Sequence, residues 1–216
     1  MRRTLLIVVA TFFLSGIMCT AEVNAGSTIL FPTDDTWIYG YASYPDTNFG
    51  GEQVFATNMH SYNQLGFPFL KFSIPAFNGE EIQTATLHLY QYDGTGVGVQ
   101  ATVIDLYSDN MWDENTITWN NFYNPSVTAT YLATCNDGAL YRGWSSWSFA
   151  WNKSYGDTIT IRVREGGSAD NSHVWSSKEY SNADLRPYLE LITTESFPWE
   201  LFFPAIIKKS IDDDPK

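Results

Sequence analysis

Asp157-Thr158-Ile159-Thr160-Ile161-Arg162-Val163-Arg164 alternates without a break: Ile159, Ile161 and Val163 fall on one side, Thr160, Arg162 and Arg164 on the other. β-Branched residues at period two describe a strand with one apolar and one polar face. Residues 83–90 repeat the pattern, setting Ala85, Leu87 and Leu89 against Thr84, Thr86, His88 and Tyr90. In 67–74, Leu70 and Phe72 share one face while Phe69, Lys71 and Ser73 share the other. Shorter β-rich pieces are predicted at 28–31, 36–39, 97–107, 116–119, 127–133, 147–151, 173–177 and 188–193. Asp93-Gly94 reads as a hairpin turn, 120–125 as another turn, and 41–52 as a long loop holding Pro45, Asp46, Asn48, Gly50 and Gly51. No stretch of ten or more residues carries a helical period. Many short strands between frequent turns predict an all-β fold, an antiparallel β-sandwich of jelly-roll type.

The 216-residue chain is 16% aromatic and 17% charged, too apolar for intrinsic disorder. Its formal charge of −12 argues against nucleic acid, whose phosphates are met by clustered Lys and Arg. Met1-Arg2-Arg3 followed by the apolar run 5–18 has the order of a secretory signal and is too short to span a bilayer comfortably. Small residues place cleavage after Ala25, with Ala21 the alternative; Met18 before Cys19 argues against lipidation. Cleavage leaves Cys135 as the one cysteine, so no internal disulfide and no multi-cysteine metal site is expected. The expected organisation is a signal at 1–25, one sandwich domain at 26–196, and a tail at 197–216. That tail, apolar and then charged, is a candidate for docking on a partner or surface. The mature protein is expected outside the cell or on its surface, with no transmembrane segment.

An ordered set of short motifs runs through 28–193. It begins with Asp35-Thr36-Trp37-Ile38 and Pro45-Asp46-Thr47-Asn48-Phe49-Gly50, followed by Phe69-Leu70-Lys71-Phe72-Ser73-Ile74-Pro75 and the strand at 82–90. The most distinctive block is Trp112-Asp113-Glu114-Asn115-Thr116-Ile117-Thr118-Trp119-Asn120-Asn121. Ser176-Ser177-Lys178-Glu179 and Arg186-Pro187-Tyr188-Leu189 close the set. Together these resemble DNRLRE-type domains, relatives of carbohydrate-binding module family 96. The resemblance implies a jelly-roll-like β-sandwich of secreted proteins, often appended to polysaccharide-degrading enzymes, with some relatives binding acidic polysaccharides.

The residues themselves suggest two sites. Lys71, His88, Tyr90, Arg162 and Arg164 all lie on non-core faces of their strands; on one sheet they would form a basic, aromatic surface. Aromatic faces stack on sugars and Arg forks hold carboxylates, so such a surface suits an acidic polysaccharide. The alternative is a solvated face with cross-strand ion pairs. Asp34, Asp35, Asp46 and Asn48, and separately Asp109, Asp113 and Glu114, place hard oxygen ligands in loops, which suits a structural Ca²⁺. The alternative there is turn capping.

Enzyme motifs are absent: there is no G-x-S-x-G, H-E-x-x-H or P-loop, and His60, His88 and His173 lack ligand spacing. The expected function is therefore a non-catalytic polysaccharide-binding protein. A structural or adhesion protein of the envelope is the alternative, and a lyase built on His88, Tyr90 and Arg164 is a third.

Overall fold

The computed structural model describes residues 25–195 except 42, 60–64, 78, 96–100, 125, 137–141 and 167–170. Residues 1–24 of the expected signal, the tail, His60 and residues 96–98 lie outside the described residues, whereas Ala25, its expected last residue, opens the first strand. Eleven strands are described: β1 (Ala25–Leu30), β2 (Asp34–Tyr39), β3 (Val54–Met59), β4 (Leu65–Ser73), β5 (Glu80–Thr95), β6 (Thr102–Tyr107), β7 (Ala129–Cys135), β8 (Gly143–Ala150), β9 (Thr158–Glu165), β10 (Asn171–Ser176) and β11 (Tyr188–Glu195). One short helix, α1 (Trp119–Phe122), and a 3-10 turn at Ala183–Leu185 accompany them.

Every pairing is antiparallel. On one side β1 pairs β11, β11 pairs β5, and β8 lies along the other edge of β5. On the other side β2 pairs β4, and the ladder continues through β9 and β6 to β7. β10 meets the far end of β5, and β3 joins the halves by pairing β10 and then β4. Alternation turns Ala85, Leu87, Leu89, Trp147, Phe149, Leu189 and Leu191 inward from the first half. Leu70, Phe72, Ile104, Ile159, Ile161 and Val163 meet them from the second. The result is the expected antiparallel β-sandwich. No helix among the described residues is long and apolar enough to cross a membrane.

A second, smaller core covers the outside of the β2–β4–β9–β6 half. Phe67, Phe69, Ile38 and Tyr107 point away from the sandwich centre, where Trp112, Ile117 and Phe122 of the 108–128 segment cap them. Phe69 meets Tyr107 and Phe122 edge to face, at 5.1 Å each. Trp112 anchors this layer by donating its indole N–H to Thr160 Oγ1 at 2.9 Å.

Three expectations change. The Asp93-Gly94 turn is continuous strand: β5 runs on to Thr95 because Gly94 and Asp93 pair with His173 and Val174 of β10. The strand expected at 116–119 is a turn leading into α1, because the Thr118 hydroxyl and the Asn121 amide cap each other's backbone. β3 was not predicted at all, although Phe55 is almost fully buried.

Candidate functional site

Alternation decides where the expected basic surface goes. Arg162 and Arg164 project from β9 away from the core residues Ile161 and Val163, onto Asp105 of β6. Asp105 is 2% exposed and accepts from Arg162 Nη2 at 2.7 Å and Arg164 Nε at 2.8 Å. Burial alone would raise this carboxyl, but the bonds from Arg164 and Arg162 outweigh it and hold it below the usual range. Lys71 pairs with Asp34 at 3.3 Å, donates to the Trp112 carbonyl and lies 4.5 Å from the centre of the Trp112 ring. Lys71 is thus held against Trp112 of the 108–128 layer, Arg162 over Phe67 and Tyr107, which that layer caps, and Arg164 on Asp105.

His88 and Tyr90 alternate with the core residues Leu87 and Leu89 and therefore sit on the opposite outer face. His88 stacks on Tyr188 at 4.4 Å, and its Nδ1 is 2.9 Å from Ser146 Oγ. Burial lowers its pKa, with Glu190 opposing. Tyr90 and Tyr188 each meet Trp144 edge to face. The five expected residues thus divide two and three across the sandwich, and His88, Tyr90 and Arg164 do not converge.

The loop oxygens divide as well. Asp34 faces Lys71, and Asp46 accepts from Asn120 Nδ2 at 2.8 Å. Asn48 donates to the Glu114 and Ile117 carbonyls at 2.6 and 2.8 Å, while its Oδ1 takes the Gly50 N–H. Asp109 and Asp113 cap their own turns through Met111 N and Asn115 N. Only Asp35 of the expected four enters a carboxylate cluster, and its partners are Glu114 and Glu179. One oxygen from each lies within 4.8 Å of the others.

That cluster is tightly knit. Glu114 Oε2 accepts the Asp35 N–H at 3.0 Å and Asp35 Oδ2 accepts the Lys178 N–H at 2.7 Å. The Lys178 ammonium bonds Glu114 Oε1 at 2.9 Å and also Glu179 Oε1. Burial and then the Glu179 charge push the Asp35 carboxyl well above its usual range, against the pull of the Lys178 N–H. Burial would lower the Lys178 ammonium, but its carboxylate bonds raise it above the ordinary lysine range.

Beside this cluster lies an aromatic groove that the sequence reading left inside a loop. Asp35, Trp37 and Tyr39 share one face of β2 by alternation, and the chain then doubles back through 41–52. Trp37, Tyr39, Tyr44, Phe49, Glu52 and Val54 line an open groove of about 350 Å³. Trp37 lies 4.5 Å from Phe49 and 5.3 Å from Tyr39, while Tyr39 stacks on Tyr41 and Tyr44 at 5.9 and 6.0 Å. Tyr44 is 46% exposed and Tyr41 37%.

The block 112–121 holds this groove in place. Besides the Asn48 and Asp46 bonds, Asn120 N donates to the Pro45 carbonyl at 3.0 Å. Gly50 sits so close that an added Cβ would lie 2.2 Å from the Glu114 carbonyl oxygen. Gly50→Ala should therefore displace the loop and cost about 1–3 kcal/mol, read by urea denaturation. A variant as stable as the parent would mean the loop yields freely.

One buried polar group resembles a catalytic set and is not one. Thr57, Glu165 and His173 contact each other, but all three are buried and the threonine hydroxyl donates to Glu165, away from the imidazole.

A family model described as carbohydrate-binding module family 96 matches residues 27–193. No curated protein matches the chain. One similar solved structure holds the CBM22-1 and GH10 modules of an endo-1,4-β-D-xylanase from Clostridium thermocellum, complexed with xylohexaose. It is 8% identical with TM-score 0.29, over 74% of this chain and 28% of that one. The chain thus spans less than a third of that structure's length. Another is a cleaved adhesin domain of Lys-gingipain from Porphyromonas gingivalis, 10% identical with TM-score 0.26, over 81% of this chain and 99% of that one.

Proposed function

This chain belongs to carbohydrate-binding module family 96, and on that premise we propose that it is an exported, non-catalytic protein binding polysaccharide at the Trp37–Tyr44–Phe49 groove. The observation that carries the site is the exposed Tyr41 and Tyr44, each stacked on the half-buried Tyr39, beside Trp37 and Phe49. Pyranose C–H faces pack on such rings, and a groove fixed by backbone hydrogen bonds loses little freedom on binding. Export is supported by the signal-like start of the sequence.

The groove also bears on the charge of the glycan. Glu52 is the one charged lining residue among those described, whereas Lys71, Arg162 and Arg164 are held by Asp34 and Asp105. A neutral chain fits this lining better than a uronate polymer, which would meet Glu52 and the net charge of −12.

Affinity electrophoresis through gels of neutral and of acidic polysaccharides tests both points. Tyr44→Ala and Tyr41→Ala should each weaken retention by a neutral polymer about tenfold, the equivalent of 1.4 kcal/mol, with little change in melting temperature. Unchanged retention in both variants would remove the groove from the function. Strong retention by a uronate polymer alone would overturn the charge assignment.

A further inference from the structure

Asp35, Glu114 and Glu179 come from β2, from the segment after β6 and from the segment after β10, yet their oxygens meet at one point. Three carboxylates face one ammonium there, so ionising all three leaves two negative charges unmatched. The hydrogen bonding is incomplete as well. Asp35 is 1% exposed and its Oδ1 has no donor among the described residues; Glu179 Oε2 is likewise buried without one, and the two carboxyls face each other within hydrogen-bonding reach. A buried carboxylate oxygen with no donor is costly, and burial makes it more so.

We propose that this point binds a divalent cation, Ca²⁺ by its chemistry, using Asp35, Glu114 and Glu179 as ligands. Hard oxygen donors without His or Cys suit Ca²⁺ or Mg²⁺, and an irregular set drawn from three segments suits the less demanding calcium. Three carboxylates supply part of a shell of 6–8 oxygens, and water must supply the rest. An open cavity of about 420 Å³ adjoins the cluster, lined by Lys178 and Glu179 with Phe31, Pro32, Ala183 and Arg186. Lys178 holds part of the cluster's charge, bonding the two glutamates that the ion would take. Its flexible stem lets the ammonium move into that cavity while the backbone N–H stays on Asp35 Oδ2.

The site would matter to the groove. Asp35 is two residues from Trp37 on the same strand face, and Glu114 carries the carbonyl that receives Asn48 and abuts Gly50. A cation drawing these segments together would hold the loop that presents Tyr44 and Phe49.

The test uses the full chain, treated with EDTA and dialysed, then titrated with CaCl₂ or MgCl₂ by calorimetry and melted with and without each ion. One calcium per chain is expected, with a melting temperature about 5–10 °C higher at calcium 100-fold above its Kd. Asp35→Asn and Glu179→Gln should abolish both signals. Lys178→Met should be less stable than the parent in EDTA, and calcium should restore most of that loss. Either of two results overturns the site: no calcium heat or melting shift in the parent, or an equal shift in Asp35→Asn and Glu179→Gln. A Lys178→Met defect that calcium leaves untouched would assign the cluster's cation to lysine alone. Because none of these readouts involves a glycan, the site can fail while the groove stands.

Discussion

Asp105→Ala is expected to lower unfolding free energy by roughly 3 kcal/mol, the low end for removing one partner of a buried ion pair. The low end applies because the Arg164 side chain keeps 34% of its surface in solvent, against 17% for Arg162 and 4% for Asp105. In a domain of this size that loss corresponds to a fall of about 6–12 °C in melting temperature. The variant leaves two guanidinium groups side by side with no carboxylate between them, and Arg162 stays pressed against Phe67 and Tyr107. The effect should depend on pH in one direction. The folded carboxyl lies below its unfolded value, so its contribution is present above the unfolded pKa and fades as pH falls through the folded one. Urea denaturation of parent and Asp105→Asn at neutral pH and again near pH 3 reads this: their difference should shrink in acid. A difference that stays constant across that range would show that the pair contributes nothing through its charge. Arg164→Ala should reduce stability too, yet leave glycan retention unchanged.

Strand identity was legible where one face is purely apolar. Residues 157–164 became β9 within one position at each end, and 83–90 lies wholly within β5. What alternation cannot supply is the fate of the other face. Lys71, Arg162 and Phe69 do point away from the sandwich core, as period two requires. The segment 108–128 then folds over that face, because Phe67, Phe69 and Ile38 make it apolar enough to cover. Nothing local in β9 announces Asp105, which arrives from a strand 57 positions away.

The cation candidate shows the same limit. Asp35 and Glu114 were both recognised as oxygen donors, but in separate groups, and Glu179 was not; only the topology assembles the three. Asp46 and Asn48 were plausible ligands by type, yet short polar side chains in turns are readily taken up by nearby backbone and amide groups, as both are here. For the groove, a signal was present in Tyr41, Tyr44 and Phe49, three aromatic residues within a Pro- and Gly-rich loop that follows Tyr39. Read only for turns, that loop concealed them. The β-rich run at 116–119 failed for a local reason, since one reciprocal cap at Thr118 and Asn121 outweighs β-propensity over four residues.

Glu165→Ala should cost about 3–5 kcal/mol, because it strips a fully buried histidine and a threonine of their shared acceptor. Glu165 Oε1 lies 2.7 Å from His173 Nδ1 and accepts from the Thr57 hydroxyl, while the imidazole stacks on Trp175 with ring centres 5.5 Å apart. Both side chains of the His173–Glu165 pair are wholly excluded from solvent. Even so, the network is incomplete: Glu165 Oε2 and His173 Nε2 have no hydrogen-bond partner among the described residues. A half-satisfied polar cluster stabilises less than well-packed apolar side chains of similar volume, although breaking it is expensive. The two statements separate experimentally. Replacing all three groups together, as Thr57→Val, Glu165→Leu and His173→Phe, should cost less than Glu165→Ala alone and could exceed the parent in stability. Urea denaturation of parent, single and triple variants at neutral pH decides it. A triple variant worse than the single one would mean that the network's geometry, and not merely its completeness, holds β3, β9 and β10 in register. A single variant within about 1 kcal/mol of the parent would show instead that water or neighbouring backbone readily replaces the lost acceptor.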